Sequence, residues 1–221
     1  MNLNSPIIKI CCIQDRAEAQ LAISLGANAL GLVSDMPSGP GVISLDQIRD
    51  IAVFIPKPVE SVLLTSEQSS EGILEQVEYC KPTAIQIVDK LLIGSHQDIR
   101  GEFPELIIIQ VIHVTGIESI VEAEKVSSSV DALLLDSGNK LLATKVLGGT
   151  GKVHDWSISK QICKYAQIPV ILAGGLDQTN VGEAIRTVNP AGLDVCSGVR
   201  TNAKLDKVKL TSYMNNIQWP D

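Results

Sequence analysis

Aromatic side chains are scarce in this chain. Phe, Trp and Tyr make up 3 % of the 221 residues, although 45 % of the residues are hydrophobic. A buried core must therefore be built from Val, Ile, Leu and Ala, as it is in parallel sheets that are covered on both faces. This composition argues against a β-sandwich.

Basic clusters, long apolar runs and paired cysteine motifs are also missing. The formal net charge of −7 has no basic block, so we expect neither nucleic acid nor membrane as a partner. Apolar runs such as residues 106–109 are too short to span a bilayer, and the chain starts with polar residues, which predicts a cytoplasmic protein. Five cysteines without CxxC spacing indicate reduced thiols rather than a disulfide framework or a zinc site.

Short apolar runs alternate with amphipathic stretches along the chain. Strands are predicted near residues 7–12, 29–33, 59–64, 83–88, 106–113, 131–135, 169–173 and 192–196. Helix starts are predicted where a capping side chain is followed three residues later by Glu or Gln. These pairs are Asp15–Glu18, Ser44–Gln47, Thr115–Glu118 and Asn180–Glu183. A further helix is predicted around residues 91–101.

Eight strand–helix units favour an α/β fold that closes into a barrel. Each unit has about 28 residues, enough for a strand, a helix and two short loops. An open dinucleotide-binding sheet predicts a glycine-rich turn after the first strand, and residues 11–15 contain no glycine. We therefore expect residues 1–221 to form a single (β/α)8 TIM barrel domain, with its reactive groups at the C-terminal strand ends.

Three glycine-rich stretches predict a phosphate site. Two apolar runs end in Gly174-Gly175 and in Ser197-Gly198, and residues 148–151 read Gly-Gly-Thr-Gly. Loops after the last two strands of such a barrel, beside a helix N-terminus, usually bind anions through backbone N–H groups. The residues expected to hold the phosphate are Gly149, Gly151, Gly174, Gly175, Ser197 and Gly198.

Chemically reactive side chains follow two of the other strand ends. Asp136 comes directly after three buried leucines, where a carboxylate needs a partner or a function. Cys11 ends the first strand, although a cysteine there is more often inert packing. Lys9 lies on the same face of that strand and is placed to stabilise a Cys11 thiolate.

These motifs, taken in order, resemble the phosphoribosylanthranilate isomerase family over nearly the whole chain. The matching runs are Lys9-Ile10-Cys11, Leu134-Leu135-Asp136-Ser137, Gly148-Gly149-Thr150-Gly151 with Asp155-Trp156, Ala173-Gly174-Gly175-Leu176 and Asp194 with Ser197-Gly198-Val199. The resemblance implies an aldose–ketose isomerase of tryptophan biosynthesis, which needs neither metal nor cofactor. The reaction is the Amadori rearrangement of an N-(5-phosphoribosyl) amine, with Cys11 as base, Asp136 as acid and Asp194 contacting the substrate. A monomer or a homodimer is expected.

Five positions depart from the family pattern. Cys12 replaces a glycine, Gly41 replaces an arginine that binds the anthranilate carboxylate, Val88 stands in an altered strand-four end, Cys196 replaces a serine and Arg200 replaces a glutamate. The sequence therefore leaves the aglycone open. A genuine family member would need Arg200 or Lys140 to hold the carboxylate. An arginine at position 41 is expected to improve use of phosphoribosylanthranilate, unless Cys12 or the altered strand-four end blocks the aromatic ring.

Two other functions remain open at this point. The chain is alternatively a paralogous isomerase that acts on a different phosphosugar derivative, or a phosphosugar-binding barrel without activity. The pair of Cys11 and Asp136 argues against a pure binding protein, because such a protein needs neither an acid nor a base.

Overall fold

Eight parallel strands close into a barrel in the computed structural model, which describes residues 6–137 and 154–219. The strands follow one another around the barrel in chain order, and β8 pairs with β1. They are β1 Ile7–Ile10, β2 Ala29–Val33, β3 Glu60–Thr65, β4 Ala84–Ile87, β5 Ile107–His113, β6 Ala132–Asp136, β7 Val170–Leu172 and β8 Gly192–Val195. The predicted barrel and all eight of its strands are confirmed.

Helices follow the strands and cover the outside of the barrel. Those in the described ranges are α1 Arg16–Ser24, α2 Leu45–Phe54, α3 Ser70–Cys80, α4 His96–Glu102, α5 Glu118–Ser127, α6 Trp156–Tyr165, α7 Val181–Val188 and α8 Lys207–Asn215. A two-stranded ribbon, β9 Arg200–Thr201 with β10 Lys204–Leu205, follows β8. None of the helices described is long and apolar enough to cross a membrane.

Helices begin within three residues after all four predicted capping residues, but the predicted side-chain cap forms at only two of them. Asp15 accepts the Glu18 N–H at the start of α1, and Ser44 and Gln47 form both bonds of a capping box. Thr115 instead bonds the Glu118 side chain, and α5 begins at Glu118 without a side-chain cap. Asn180 precedes α7, but its side chain bonds the preceding loop rather than the helix.

Two apolar layers result from the alternation of side chains along the strands. Ile10, Leu30 and Leu32 belong to the larger layer, which lies between the barrel and its helices. Ile7, Cys11 and similar inward-facing residues form a smaller layer inside the barrel. The polar groups at the C-terminal strand ends lie directly above this inner layer.

Candidate active site

A pocket opens at the C-terminal ends of the barrel strands, where reactive groups were predicted. The predicted site residues that line it are Cys11, Asp136, Gly174, Gly175, Asp194 and Ser197. Gly149, Gly151 and Lys140 lie outside the described residues. The structure thus brings together the expected acid, the expected base and two of the three glycine loops.

Lys9 and Asp194 form a buried ion pair between adjacent strands. They are register partners on β1 and β8, and Lys9 Nζ lies 2.9 Å from Asp194 Oδ1. Burial by itself would lower the pKa of Lys9, but the charges of Asp194 and then Cys11 raise it well above its usual value. Lys9 therefore stays protonated and supplies a fixed positive charge inside the barrel.

Cys11 lies two residues beyond Lys9 on the same inward face. Gly31 on β2 makes this possible, since a Cβ there would come within 2.8 Å of Cys11 Sγ and 3.1 Å of Lys9 Nζ. A hydrogen bond from the Cys12 thiol lowers the pKa of Cys11, burial opposes it, and the Lys9 charge lowers it further. The hydrogen bonds of Cys12 with Cys11 and Cys196 raise the pKa of Cys12. Of the two thiols, Cys11 is therefore the one that loses its proton more readily.

Asp136 is the last residue of β6 and faces the same pocket. Burial raises the pKa of this carboxyl group, while the Ser137 N–H, which donates to Oδ1 at 2.7 Å, and the Lys9 charge partly oppose the rise. Gly174 packs against it, since a Cβ there would lie 3.0 Å from Asp136 Oδ1. A buried carboxyl group with a raised pKa is suited to donate a proton.

The glycine loop after β7 exposes backbone donors. Gly174 and Gly175 have φ values of +82° and +67°, and within the described residues neither backbone N–H donates a hydrogen bond. Asn180 fixes this loop, because its Nδ2 donates to Gly175 O at 2.8 Å and its Oδ1 accepts from Asp177 N at 2.9 Å. Consecutive N–H groups held in this way form a concave site for an anion.

The glycine loop after β8 lies directly against the loop after β7. Gly198 touches Leu176 so closely that a Cβ at position 198 would collide with the Leu176 carbonyl oxygen. Ser197 lines the pocket, and Ser197–Val199 forms a single 3₁₀ turn. The two loops predicted to share a phosphate therefore do meet at one end of the pocket.

Arg200 does not lie among the described residues that line the pocket. Its Nη2 pairs with Glu18 Oε2 at 2.9 Å and donates to the carbonyl oxygens of Cys11, at 3.2 Å, and Cys12. The side chains of Arg200 and Glu18 are 6 % and 11 % exposed. This corrects the expectation that Arg200 binds substrate, because its guanidinium group is already occupied in holding the loop after β1.

Comparisons with known proteins point to one family. The family model for N-(5'-phosphoribosyl)anthranilate isomerase matches residues 8–216. The chain belongs to this family. It is an isomerase, an intramolecular oxidoreductase of tryptophan biosynthesis, and the first of the three functions considered above is the one supported.

Relatives and solved structures match along nearly the whole chain. The isomerase of Methanosarcina acetivorans is 34 % identical over 96 % of this chain and 92 % of its own length. Isomerase 2 of Methanosarcina mazei is 37 % identical over 96 % of this chain and 93 % of its own length. The Thermotoga maritima isomerase is 27 % identical with a TM-score of 0.78, over 96 % of this chain and 98 % of its own. A further isomerase structure, 24 % identical with a TM-score of 0.75, covers 96 % of this chain and 97 % of its own, and holds reduced 1-(o-carboxyphenylamino)-1-deoxyribulose 5-phosphate.

Two departures from the family pattern meet where the loop after β1 contacts the loop after β2. Gly41 has a φ of +82° and packs on Cys12, so a Cβ at position 41 would collide with Cys12 Cβ. Cys12 itself has a φ of +65°, which suits the glycine usual in the family. This contact corrects the expected gain from an arginine at position 41, because that side chain does not fit while Cys12 is present.

We expect Gly41→Ala to lower the free energy of unfolding by roughly 2–4 kcal/mol, through backbone strain and overpacking together. Gly39→Ala is the matched control, since Gly39 has a φ of +111° but nothing within 4 Å of an added Cβ. It should cost only the strain, about 1–2 kcal/mol. Cys12→Gly should rescue Gly41→Ala and leave Gly39→Ala unchanged in urea unfolding. Equal losses at both positions, without rescue, would show that the Cys12 contact is unimportant.

Gln86 on β4 is a site residue that the sequence reasoning missed. Its side chain is 4 % exposed and lines the pocket, and among the described residues its Oε1 has no hydrogen-bond partner. The available signal was a single polar side chain inside the apolar run of residues 84–88. An unpartnered buried acceptor beside the pocket is suited to a substrate hydroxyl group.

Proposed function

We propose that this isomerase converts N-(5'-phosphoribosyl)anthranilate to its 1-amino-1-deoxyketose, with Cys11 as general base and Asp136 as general acid. The observation that carries the proposal is that both residues line one pocket while their pKa values are displaced in opposite directions. The lowered pKa favours a Cys11 thiolate that accepts a proton, and the raised pKa favours an Asp136 carboxyl group that donates one.

The reaction begins with opening of the sugar ring. Asp136 gives its proton to the furanose ring oxygen as the bond from that oxygen to C1′ breaks, and the nitrogen lone pair forms a cationic C=N bond. The Cys11 thiolate then removes the C2′ proton, and the electrons of that C–H bond form the C1′=C2′ bond of a neutral enolamine. Protonation at C1′ and loss of the C2′ hydroxyl proton give the ketose.

The walls of the pocket support a substrate with a phosphate at one end and an aromatic ring at the other. Backbone N–H groups of the loops after β7 and β8 are placed to hold the phosphate. Apolar side chains line the opposite side, namely Val33, Met36, Leu64 and Val88. Gln86 on β4 also lines the pocket, and its Oε1, which has no hydrogen-bond partner among the described residues, is available to a sugar hydroxyl group.

The carboxylate of the anthranilate ring has no evident partner among the described residues. Neither Lys nor Arg is found among those that line the pocket, and Arg200 is engaged by Glu18. The proposal therefore leaves this carboxylate to solvent or to a group outside residues 6–137 and 154–219.

Replacing Lys9 tests the proposed activation of the thiol. We expect Lys9→Met to raise the pKa of Cys11, because the variant removes a positive charge and leaves the Asp194 carboxylate unpaired nearby. The acidic limb of kcat/KM, which reports deprotonation of the base, should then move to higher pH. Alkylation of Cys11 by iodoacetamide, followed by peptide mapping across pH, measures the same pKa directly.

Lys209→Met is the control for this experiment. Lys209 Nζ donates to Arg200 O at 2.8 Å, so the variant removes one positive charge from the same end of the barrel without touching Cys11. Its alkylation midpoint should match that of the unaltered chain. An unshifted midpoint in Lys9→Met would remove Lys9 from the proposal.

Growth rescue tests the proposed function as a whole. The chain should restore growth without tryptophan to a strain that lacks this isomerase, and Cys11→Ser and Asp136→Asn should not. Absence of rescue by a folded, expressed chain would favour the paralogous isomerase.

We also infer that the enzyme works in the cytoplasm, as a monomer or a homodimer. The Thermotoga maritima relative is described as dimeric, with monomers generated from it.

A further inference from the structure

Two thiols from opposite ends of the chain meet at the pocket. Cys12 Sγ and Cys196 Sγ lie 2.7 Å apart, although 184 positions separate them in the sequence. Cys12 follows β1 and Cys196 follows β8, both line the pocket, and both are free thiols. A disulfide bond has an S–S length of about 2.05 Å, so a small movement of either loop would join them.

We propose that Cys12 and Cys196 are a redox-active dithiol, which peroxides convert to a disulfide that switches the isomerase off. The loss of activity rests on the proposed function, whereas formation of the disulfide does not. Both cysteines occupy positions where the family pattern has other residues, and these two departures meet in one contact. Within the part of the chain that the structure describes, no group of three or more His, Cys, Asp or Glu side chains is arranged to hold a metal ion.

The chemistry needs only a peroxide as oxidant. Cys196 is the more exposed of the two, and its sulfur attacks one peroxide oxygen. The O–O bond breaks, and one OH group stays on the sulfur as a sulfenic acid at Cys196. The other OH leaves with the thiol hydrogen as one water molecule. Cys12 Sγ then attacks the sulfenic sulfur, the S–O bond breaks, and the hydroxyl group leaves with the Cys12 proton as a second water.

Closure of the disulfide disturbs the loop that carries the proposed base. The single hydrogen of the Cys12 thiol also faces Pro40 O, 3.4 Å from Sγ, and its contacts are lost when the sulfur bonds covalently to Cys196. Cys12 is next to Cys11 and already has a φ of +65°, so its backbone has little freedom to absorb the movement. Misplacing a catalytic group by about 1 Å can cost about 100-fold in rate, so we expect at least about a tenfold loss.

The test uses the full chain, reduced with dithiothreitol, freed of reductant and treated with one equivalent of hydrogen peroxide. Differential alkylation and peptide mapping should recover a Cys12–Cys196 disulfide. The isomerase rate should fall at least about tenfold and return with dithiothreitol. Cys196→Ser, normalised to its own reduced rate, should resist the oxidant. Cys163→Ser should stay as sensitive as the unaltered chain, because Cys163 lies on α6 and burial raises its pKa to about 12.

Two results would overturn the proposal. One is the absence of the Cys12–Cys196 peptide after treatment. The other is a Cys196→Ser variant that loses its rate to peroxide as the unaltered chain does, which would place the oxidation at Cys11. If the reduced chain converts no substrate, peptide mapping still decides whether the dithiol closes, so failure of the proposed function is told apart from failure of this one.

Discussion

Asp136→Asn and Cys11→Ser are each expected to lower kcat by roughly 10²–10⁴-fold, the usual contribution of a positioned acid or base. An amide cannot supply the proton that opens the sugar ring, and a serine hydroxyl is too weakly acidic to exist as the anion that removes the C2′ proton. The Kd for inorganic phosphate should stay unchanged, because neither side chain is assigned to the phosphate. Steady-state kinetics and calorimetric titration measure the two quantities.

Matched controls separate chemistry from folding. Asp131 lies just before β6, at the opposite end from Asp136, and its carboxylate pairs with Arg100 at 2.8 Å. Asp131→Asn should lower stability but leave kcat unchanged. Cys163→Ser is the corresponding control for Cys11. Undiminished turnover by both active-site variants would eliminate the acid–base pair from the mechanism.

Arg200→Met is expected to destabilise the protein by about 3–5 kcal/mol, the usual cost of removing one member of a buried ion pair. Glu18 would be left with an uncompensated carboxylate, and the carbonyl groups of Cys11 and Cys12 would each lose a donor. Urea unfolding measures the change. A second variant, Glu18→Gln, should also lower the stability, because it removes the negative charge that pairs with Arg200. It should also weaken the hydrogen bonds that the Gln14 and Leu205 N–H groups donate to the Glu18 carboxylate.

Arg16→Met is the control, because Arg16 forms an equally direct pair with Asp50 on the surface. Those two side chains are 53 % and 55 % exposed, where solvent screening leaves ion pairs with little effect on stability. Its unfolding midpoint should barely move. Similar midpoints for Arg16→Met and Arg200→Met would show that the buried pair does not anchor the loop after β1.

The strands and most helix starts were predictable because they depend on neighbouring residues. Apolar runs and capping pairs are local patterns, and Ser44 with Gln47 forms the predicted box in full. Thr115 failed because a hydroxyl group can bond the Glu118 side chain instead of a helix N–H. Asn180 failed because its side chain fixes the glycine loop, a role that the cap pattern does not distinguish.

The contacts that shape the site were not predictable in the same way. Glu18 and Arg200 are 182 positions apart and come together only when β8 closes the barrel against β1. The same closure brings the thiols of Cys12 and Cys196 into contact. Sequence patterns identified Cys11 and Asp136 as candidates through the family resemblance, but the opposite displacements of their pKa values depend on burial and on Lys9.

Proton NMR with the purified chain and N-(5'-phosphoribosyl)anthranilate follows directly the conversion proposed for Cys11 and Asp136. The aldose signals should give way to those of the 1-amino-1-deoxyketose, and Asp136→Asn at the same concentration should leave the aldose unchanged. Conversion by Asp136→Asn at the rate of the unaltered chain, or none by an unaltered chain that is folded and binds phosphate, would contradict this proposal.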